Sequence, residues 1–216
     1  HRWLLAALLF AATLAAHAPG LAGGFVWDDH ATIEGGRLHD WSSVAEVFRR
    51  DAMWSAGAAP ADVPTYRPIA LATFVIDYKL WGLRAFGFHV TSVLLHAVTQ
   101  VLVFLMLGRW TRSVRGSFVL TLVCAWHPST VEAVAWINGR SDVLALLGGS
   151  AALLSADGQS RSWWRAAVTG AALLLGMLGK ETALVFVPLA VAASAIRWGA
   201  EDRFPVPRLH VPTVVA

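Results

Sequence analysis

Phe86-Gly-Phe-His-Val-Thr-Ser-Val-Leu-Leu-His-Ala-Val-Thr-Gln-Val-Leu-Val-Phe-Leu-Met-Leu107 holds no Asp, Glu, Lys or Arg. About 20 mostly apolar residues suffice for a helix to cross a hydrocarbon core about 30 Å thick. The stretch therefore reads as a spanning helix, and the chain as an all-α bundle in a membrane. Composition agrees. Hydrophobic residues make up 56% of the chain and charged residues only 14%, against roughly 25% charged in soluble domains. Mean hydropathy is +0.57. A net charge of +3 with a pI near 9.6 would suit nucleic acid if the cations clustered on a polar domain. Instead they fall in loops between apolar runs, the pattern of cytoplasmic retention. Cys124 is the one cysteine and lies in an apolar run, which excludes a disulfide framework or a cysteine metal cluster.

Further apolar runs flank this one. Spans are expected near residues 3–22, 86–107, 117–128, 141–156, 164–178 and 182–198, and a seventh run starts near Val211. A signal peptide is the alternative for the first run, and the spans that follow weigh against it. The chain begins at His1 and stops within an apolar stretch, so it is read as the N-terminal part of a longer polytopic protein. Residues 23–85 form a long polar loop rich in Gly, Pro and acids. Within it, Trp41 to Trp54 places Trp41, Val44, Ala45, Val47 and Phe48 near one helical face, as in a helix lying on a membrane surface. Tyr66 to Trp81 predicts a second interfacial helix, with Pro68 in its first turn. The glycines at 108, 148, 149, 170, 176 and 179 suit close helix approach.

If the spans alternate, the basic clusters agree on one side. Arg2, then Arg109, Arg112 and Arg115, then Arg161 and Arg165, then Arg197, Arg203 and Arg208 all face the cytoplasm. The other side receives residues 23–85, the loop His127 to Asp142, and Lys180-Glu181. Three polar islands, each at the end of an apolar run, thus share the outer face. Charges kept beside apolar helices are costly to desolvate and mark functional candidates.

Asp28-Asp29 follow the first span. Neighbouring residues point about 100° apart on a helix, so one carboxylate can face a cavity while the other braces it. A carboxylate at the membrane edge gains proton affinity, which suits a general base; a helix cap is the alternative role. Glu132 is an acid among apolar residues and is a second candidate, its alternative a surface acid at a helix end. Arg140 and Asp142 lie nearby and can pair with each other. Lys180 suits a phosphate as a point charge, or an internal ion pair. Arg67 offers the fork that matches phosphate oxygens. His89 and His96, seven residues and two turns apart, stand about 10 Å from each other, too far for one metal ion; polar packing in the bundle fits them better. Nucleotide-loop, serine-esterase-elbow and zincin motifs are missing from the sequence.

Four words occur in a fixed order: FVWDD (25–29), YRPIALATFVIDYKLWGLRAFGFHVTSVLLHA (66–97), HPSTVEAVAWINGRSDVLA (127–145) and GKE (179–181). Together they resemble the transmembrane and tetratricopeptide-repeat protein O-mannosyltransferases (TMTC) and their bacterial relatives, membrane glycosyltransferases of the GT-C type. The resemblance covers nearly the whole chain. It implies a multi-span helical fold with an acidic pair in the first outer loop, a polyprenyl-phosphate-linked sugar as donor, and a protein hydroxyl as acceptor. Carried over by position, Asp28, Asp29 and Glu132 are the expected catalytic acids. Arg67, Arg140 and Lys180 are expected at the donor phosphate, supported by His127, Asp142 and Glu181. No tetratricopeptide repeat lies in this sequence; any such repeats would follow Ala216.

The expected function is transfer of mannose or another hexose from a polyprenyl phosphate to a protein hydroxyl on the outer face. Phosphate leaves without protonation, so a second acid is not required; a divalent metal on Asp28, Asp29 and Glu132 is an open alternative that is not favoured. Two other classes compete. A transporter or flippase of a lipid-linked substrate would need ionisable groups at mid-membrane, whereas here they sit at span ends. A non-catalytic platform for a partner protein would tolerate loss of the acids. The Ala-rich, Arg-over-Lys composition points to a GC-rich genome, and so to a bacterial inner membrane with a periplasm-facing site.

Overall fold

A computed structural model describes residues 1–58, 65–156 and 163–202, with side chains to residue 195. All regular structure among the described residues is helical. α1 (Arg2–His17) runs into a 3-10 turn, Ala18–Ala22. α2 (Ser42–Val47), α3 (Ala52–Ser55) and α4 (Pro68–Trp81) follow in the first loop. α5 (Ala85–Thr111) is the long helix. α6 (Val114–Ala125) and α7 (Pro128–Ala135) lead to a 3-10 turn, Ile137–Gly139. α8 (Arg140–Ala156), α9 (Trp163–Gly179), a 3-10 turn Glu181–Val185 and α10 (Phe186–Asp202) complete it.

Arg2–Ala22 and Ala85–Thr111 are long and apolar enough to cross a membrane. α6 and α7 qualify together as a third span, broken by a 62° bend. The break is local chemistry. His127 is extended, Pro128 opens α7, and proline disfavours helix in the residue before it. The His127 Nδ1 accepts the Ser129 N–H at 3.2 Å, so this histidine caps α7. α8, α9 and α10 have 17 residues each, which is about 25 Å at 1.5 Å per residue. The seventh run and Arg161, Arg203 and Arg208 fall outside the described residues, as does the side chain of Arg197.

The first loop is packed, not draped. Ile33, Leu38 and Val47 from it join Leu71, Phe74 and Val75 of α4, Phe88 of α5, and Ile137 in one buried cluster. Burying each such side chain contributes roughly 1.5–3 kcal/mol relative to exposure. The helix expected across Trp41 to Trp54 is two short ones. Asp51 interrupts it, extended at φ −72° and ψ 167°, and accepts the Trp54 N–H at 3.0 Å as the cap of α3. α4 begins at Pro68 as expected and stops at Gly82, whose φ of +60° is free of strain only without a Cβ.

α5 buries Phe88, His89, Ser92, Val93, His96, Gln100 and Phe104, a stripe at helical spacing. His96 stands edge-on to His17 at 4.9 Å, so the histidines do pack within the bundle. α8 and α9 approach closely because a Cβ on Gly148 would lie 2.6 Å from the Ala172 carbonyl oxygen and the Gly176 backbone. Gly170 faces open space and needs another reason.

At the centre, Arg140 is fully buried, its side chain 0% exposed and that of Asp77 2%. The Arg140 Nη1 lies 2.6 Å from the Asp77 Oδ2. Nε donates to Ser92 Oγ at 3.0 Å, Nη1 to Thr73 Oγ1 at 3.0 Å, and Nη2 to the Phe88 carbonyl at 2.7 Å. Thr91 donates to Asp77 Oδ1 at 2.6 Å. The pair ties α4, α5 and α8 together. Breaking one side of a buried pair costs about 3–5 kcal/mol. Asp77→Asn in the full-length protein should therefore lower the thermal unfolding midpoint sharply, and Asp77→Asn with Arg140→Met should recover much of it. A single-variant midpoint equal to wild type would contradict this role.

Candidate active site

A cavity of about 330 Å³ opens between the first loop, α4, the turn before α8, and the α9–α10 junction. Asp28, Arg67, Asn138, Ser141, Asp142 and Lys180 supply much of its polar lining; Met53, Leu71, Phe74 and Trp136 supply much of the apolar wall. All three polar islands of the sequence therefore contribute to one cavity. A second cavity of about 340 Å³, under the end of α1, is lined by His17, His89 and mostly apolar groups, with no Asp, Glu, Lys or Arg in its wall. Its ionisable side chains are the two histidines.

The adjacent acids divide as their geometry demands. Asp28 is exposed and lines the cavity, whereas Asp29 is 0% exposed. Asp29 Oδ1 accepts the main-chain N–H of Asn138 at 3.0 Å and its side-chain Nδ2–H at 2.8 Å. Oδ2 accepts the Val26 N–H at 3.2 Å. Burial pushes the Asp29 carboxyl upward, and these donors pull against it. Three donors and no acceptor suit the carboxylate form. Both oxygens are thus engaged, which leaves Asp28 as the acid available to a ligand.

Asp28 sits in a tight turn. The Asp29 N–H closes it onto the Val26 carbonyl at 2.9 Å. Trp27 takes the left-handed conformation, φ +49°, which for a bulky residue costs of order 1–3 kcal/mol. Its ring meets Trp136 edge to face at 5.7 Å, and such aromatic contacts return about 0.5–1.5 kcal/mol.

The cations come paired. Lys180 Nζ lies 2.6 and 2.7 Å from the two Asp142 oxygens. Arg67 donates from Nη2 and Nε to the two Glu181 oxygens at 2.8 and 3.2 Å. That bidentate bond is the main reason the Glu181 carboxyl lies below its usual range. Lys180 and Glu181 therefore pair outward to two other segments and not with each other, and Asp142 pairs with Lys180 and not with Arg140. Arg67 and Lys180 remain partly accessible, 28% and 20% exposed.

Other candidates lie elsewhere. Arg140 is enclosed behind the cavity, committed to Asp77 and three oxygens. Glu132 is exposed on α7 and does not line the cavity. His127 caps α7. The sequence reading passed over Asn138 and Trp136, which carry no charge. Their one signal was position inside the second island, Asn138 next to Gly139. No group of three or more His, Cys, Asp or Glu that could hold a metal occurs among the described residues.

The comparisons with known proteins point one way. The chain is 30% identical over 167 residues to "Protein O-mannosyl-transferase Tmtc1" of Drosophila melanogaster, covering 76% of this chain and 19% of that protein. It is 34% identical over 150 residues to "Protein O-mannosyl-transferase TMTC1" of Homo sapiens, covering 66% and 16%. It is 28% identical over 176 residues to "Protein O-mannosyl-transferase F38B6.6" of Caenorhabditis elegans, covering 79% and 25%. The chain thus spans a quarter or less of the length of these relatives. No family model and no solved structure matches it. The chain is TMTC-like: most of its length is homologous to proteins named protein O-mannosyl-transferases.

Proposed function

We propose that the full-length protein is a membrane glycosyltransferase that moves a sugar, mannose or another hexose, from a polyprenyl phosphate to a protein hydroxyl on the outer face. The supporting observation is the cavity that holds Asp28, a carboxylate with no ion-pair partner among the described residues, together with two partly exposed cations, Arg67 and Lys180. The names of the relatives supply the reaction class, and the positive-inside count supplies the face. In this reading the six apolar runs cross the membrane as a GT-C bundle.

Asp28 takes the proton of the acceptor hydroxyl as that oxygen attacks the anomeric carbon. The bond between the anomeric carbon and the phosphate oxygen breaks, and its electron pair leaves with the polyprenyl phosphate. Negative charge grows on that phosphate, where Arg67 and Lys180 receive it. Fixed charges aimed at developing charge in a water-poor site are the largest usual source of rate. Arg67 has five N–H donors and an ammonium has three, so each cation can hold its carboxylate and still reach the phosphate. Phosphate is a good leaving group, so no second acid is required, and Glu132 lies outside this scheme.

Two outcomes follow for purified full-length protein given labelled polyprenyl-phosphate mannose and a pool of envelope proteins. Asp28→Asn should fold and bind donor but transfer at least about 100-fold more slowly, the usual worth of a general base, while Glu132→Gln keeps most activity. Transfer by Asp28→Asn near the wild-type rate would remove Asp28 from the role. Lys180→Met should weaken binding of polyprenyl phosphate by about tenfold or more, as loss of a charged hydrogen bond of roughly 1.5–3 kcal/mol implies. Unchanged binding in both Lys180→Met and Arg67→Ala would place the phosphate elsewhere.

A further inference from the structure

The turn that carries Asp28 is held from outside. Its four residues, Val26 to Asp29, close on themselves through two hydrogen bonds, the Asp29 N–H to the Val26 carbonyl and the Val26 N–H to Asp29 Oδ2. A left-handed Trp27 sits inside it. A turn strained in this way persists only where its surroundings over-determine it. The second outer loop does so at two points: Trp136 against Trp27, and Asn138 against Asp29.

Asn138 is itself placed rigidly. Ile137 before it is 0% exposed in the core cluster and Arg140 after it is fully buried. At Gly139 a Cβ would come within 3.0 Å of the Glu132 carbonyl oxygen and the Ala133 Cα, so the backbone there lies directly on α7. From this fixed turn Asn138 directs two N–H groups, main chain and side chain, at the same oxygen of Asp29.

We infer that Asn138 is a positioning residue for the reaction: by clamping Asp29 through two donors to one oxygen, it sets where Asp28 stands in the cavity. The inference rests on Asp28 as the base. It predicts an effect on turnover that is separate from donor binding, because Arg67 and Lys180 are held by other contacts. A misplacement of about 1 Å in a reacting group can cost about 100-fold.

The test uses the full-length protein and reads kcat, KM for the polyprenyl-phosphate sugar, binding of polyprenyl phosphate, and thermal unfolding. Asn138→Ala should lower kcat by about 10- to 100-fold, with KM and binding unchanged and the protein folded. Asn138→Asp supplies a readout that a merely structural role would not move. Two facing carboxyls cannot both ionise readily and share a proton. At neutral pH the variant should be slow, and as pH falls the introduced carboxyl, once protonated, should donate to Asp29 and restore turnover. Wild type should show no such gain. Arg140 and His89 lie within electrostatic reach of Asp29, and Asp28, Asp142 and Lys180 line the cavity. These groups are common to both proteins, so the difference between the two profiles isolates residue 138. Wild-type kcat in Asn138→Ala beside an inactive Asp28→Asn would overturn the inference alone. So would a loss in Asn138→Asp that low pH does not relieve. An active Asp28→Asn would instead remove the base on which the inference stands.

Discussion

The buried contact between Arg140 and Asp77 is the constraint on which the rest depends. A guanidinium with no exposure is tolerable only if its charge and its donors are met. Here a carboxylate, two hydroxyls and a carbonyl meet them, drawn from α4 and α5, and the Phe74 ring lies 4.8 Å from the guanidinium carbon. Such a pair contributes little net stability compared with an apolar replacement. What it contributes is placement. The guanidinium has few positions in which all its partners can be reached, so the start of α8 has one depth and one rotation against α4 and α5.

The residues of the proposed site are referred to that placement. Asn138 stands two residues before Arg140, and Asp142 two residues after it. Asn138 holds the first loop through Asp29; Asp142 holds Lys180 at the α9–α10 junction. Glu181 then returns to Arg67, next to the first residue of α4. The cavity is therefore bordered by a circuit of polar contacts that begins on α4 and ends at the residue just before it. Its paired cations also explain how an apolar environment accepts them. Each charge has a fixed partner before any ligand arrives, and each still has donors to spare.

Much of this was readable in the sequence, and the limits have physical reasons. The long apolar run of α5, the proline start of α4 and the membrane character follow from composition and spacing. The convergence of Asp28, the second island and Lys180 followed from counting positive charge across alternating spans. The division of labour within Asp28-Asp29 did not, because adjacent acids are equivalent until a tertiary donor chooses one. Arg140 was read as a phosphate ligand because sequence shows the charge and not the depth; its partner Asp77 lies 63 positions away by residue number. The pairings of Lys180 and Glu181 were hidden for the same reason. Asn138 and Trp136 contribute contacts, one amide to Asp29 and one ring to Trp27, and neither carries the charge that draws attention in an apolar chain. The surface helix expected over Trp41 to Trp54 failed at Asp51, where a capping side chain outweighed hydrophobic spacing.

In the proposed reaction, donor phosphate and acceptor hydroxyl meet in the Asp28 cavity. The most direct measurement is an experimental structure of the full-length protein with a polyprenyl phosphate bound. Phosphate oxygens are expected about 3 Å from Lys180 Nζ and the Arg67 guanidinium, with Asp28 facing the same space and Asp29 still on Asn138. A phosphate seated in the cavity of His17 and His89, or one held away from both cations, would contradict this placement.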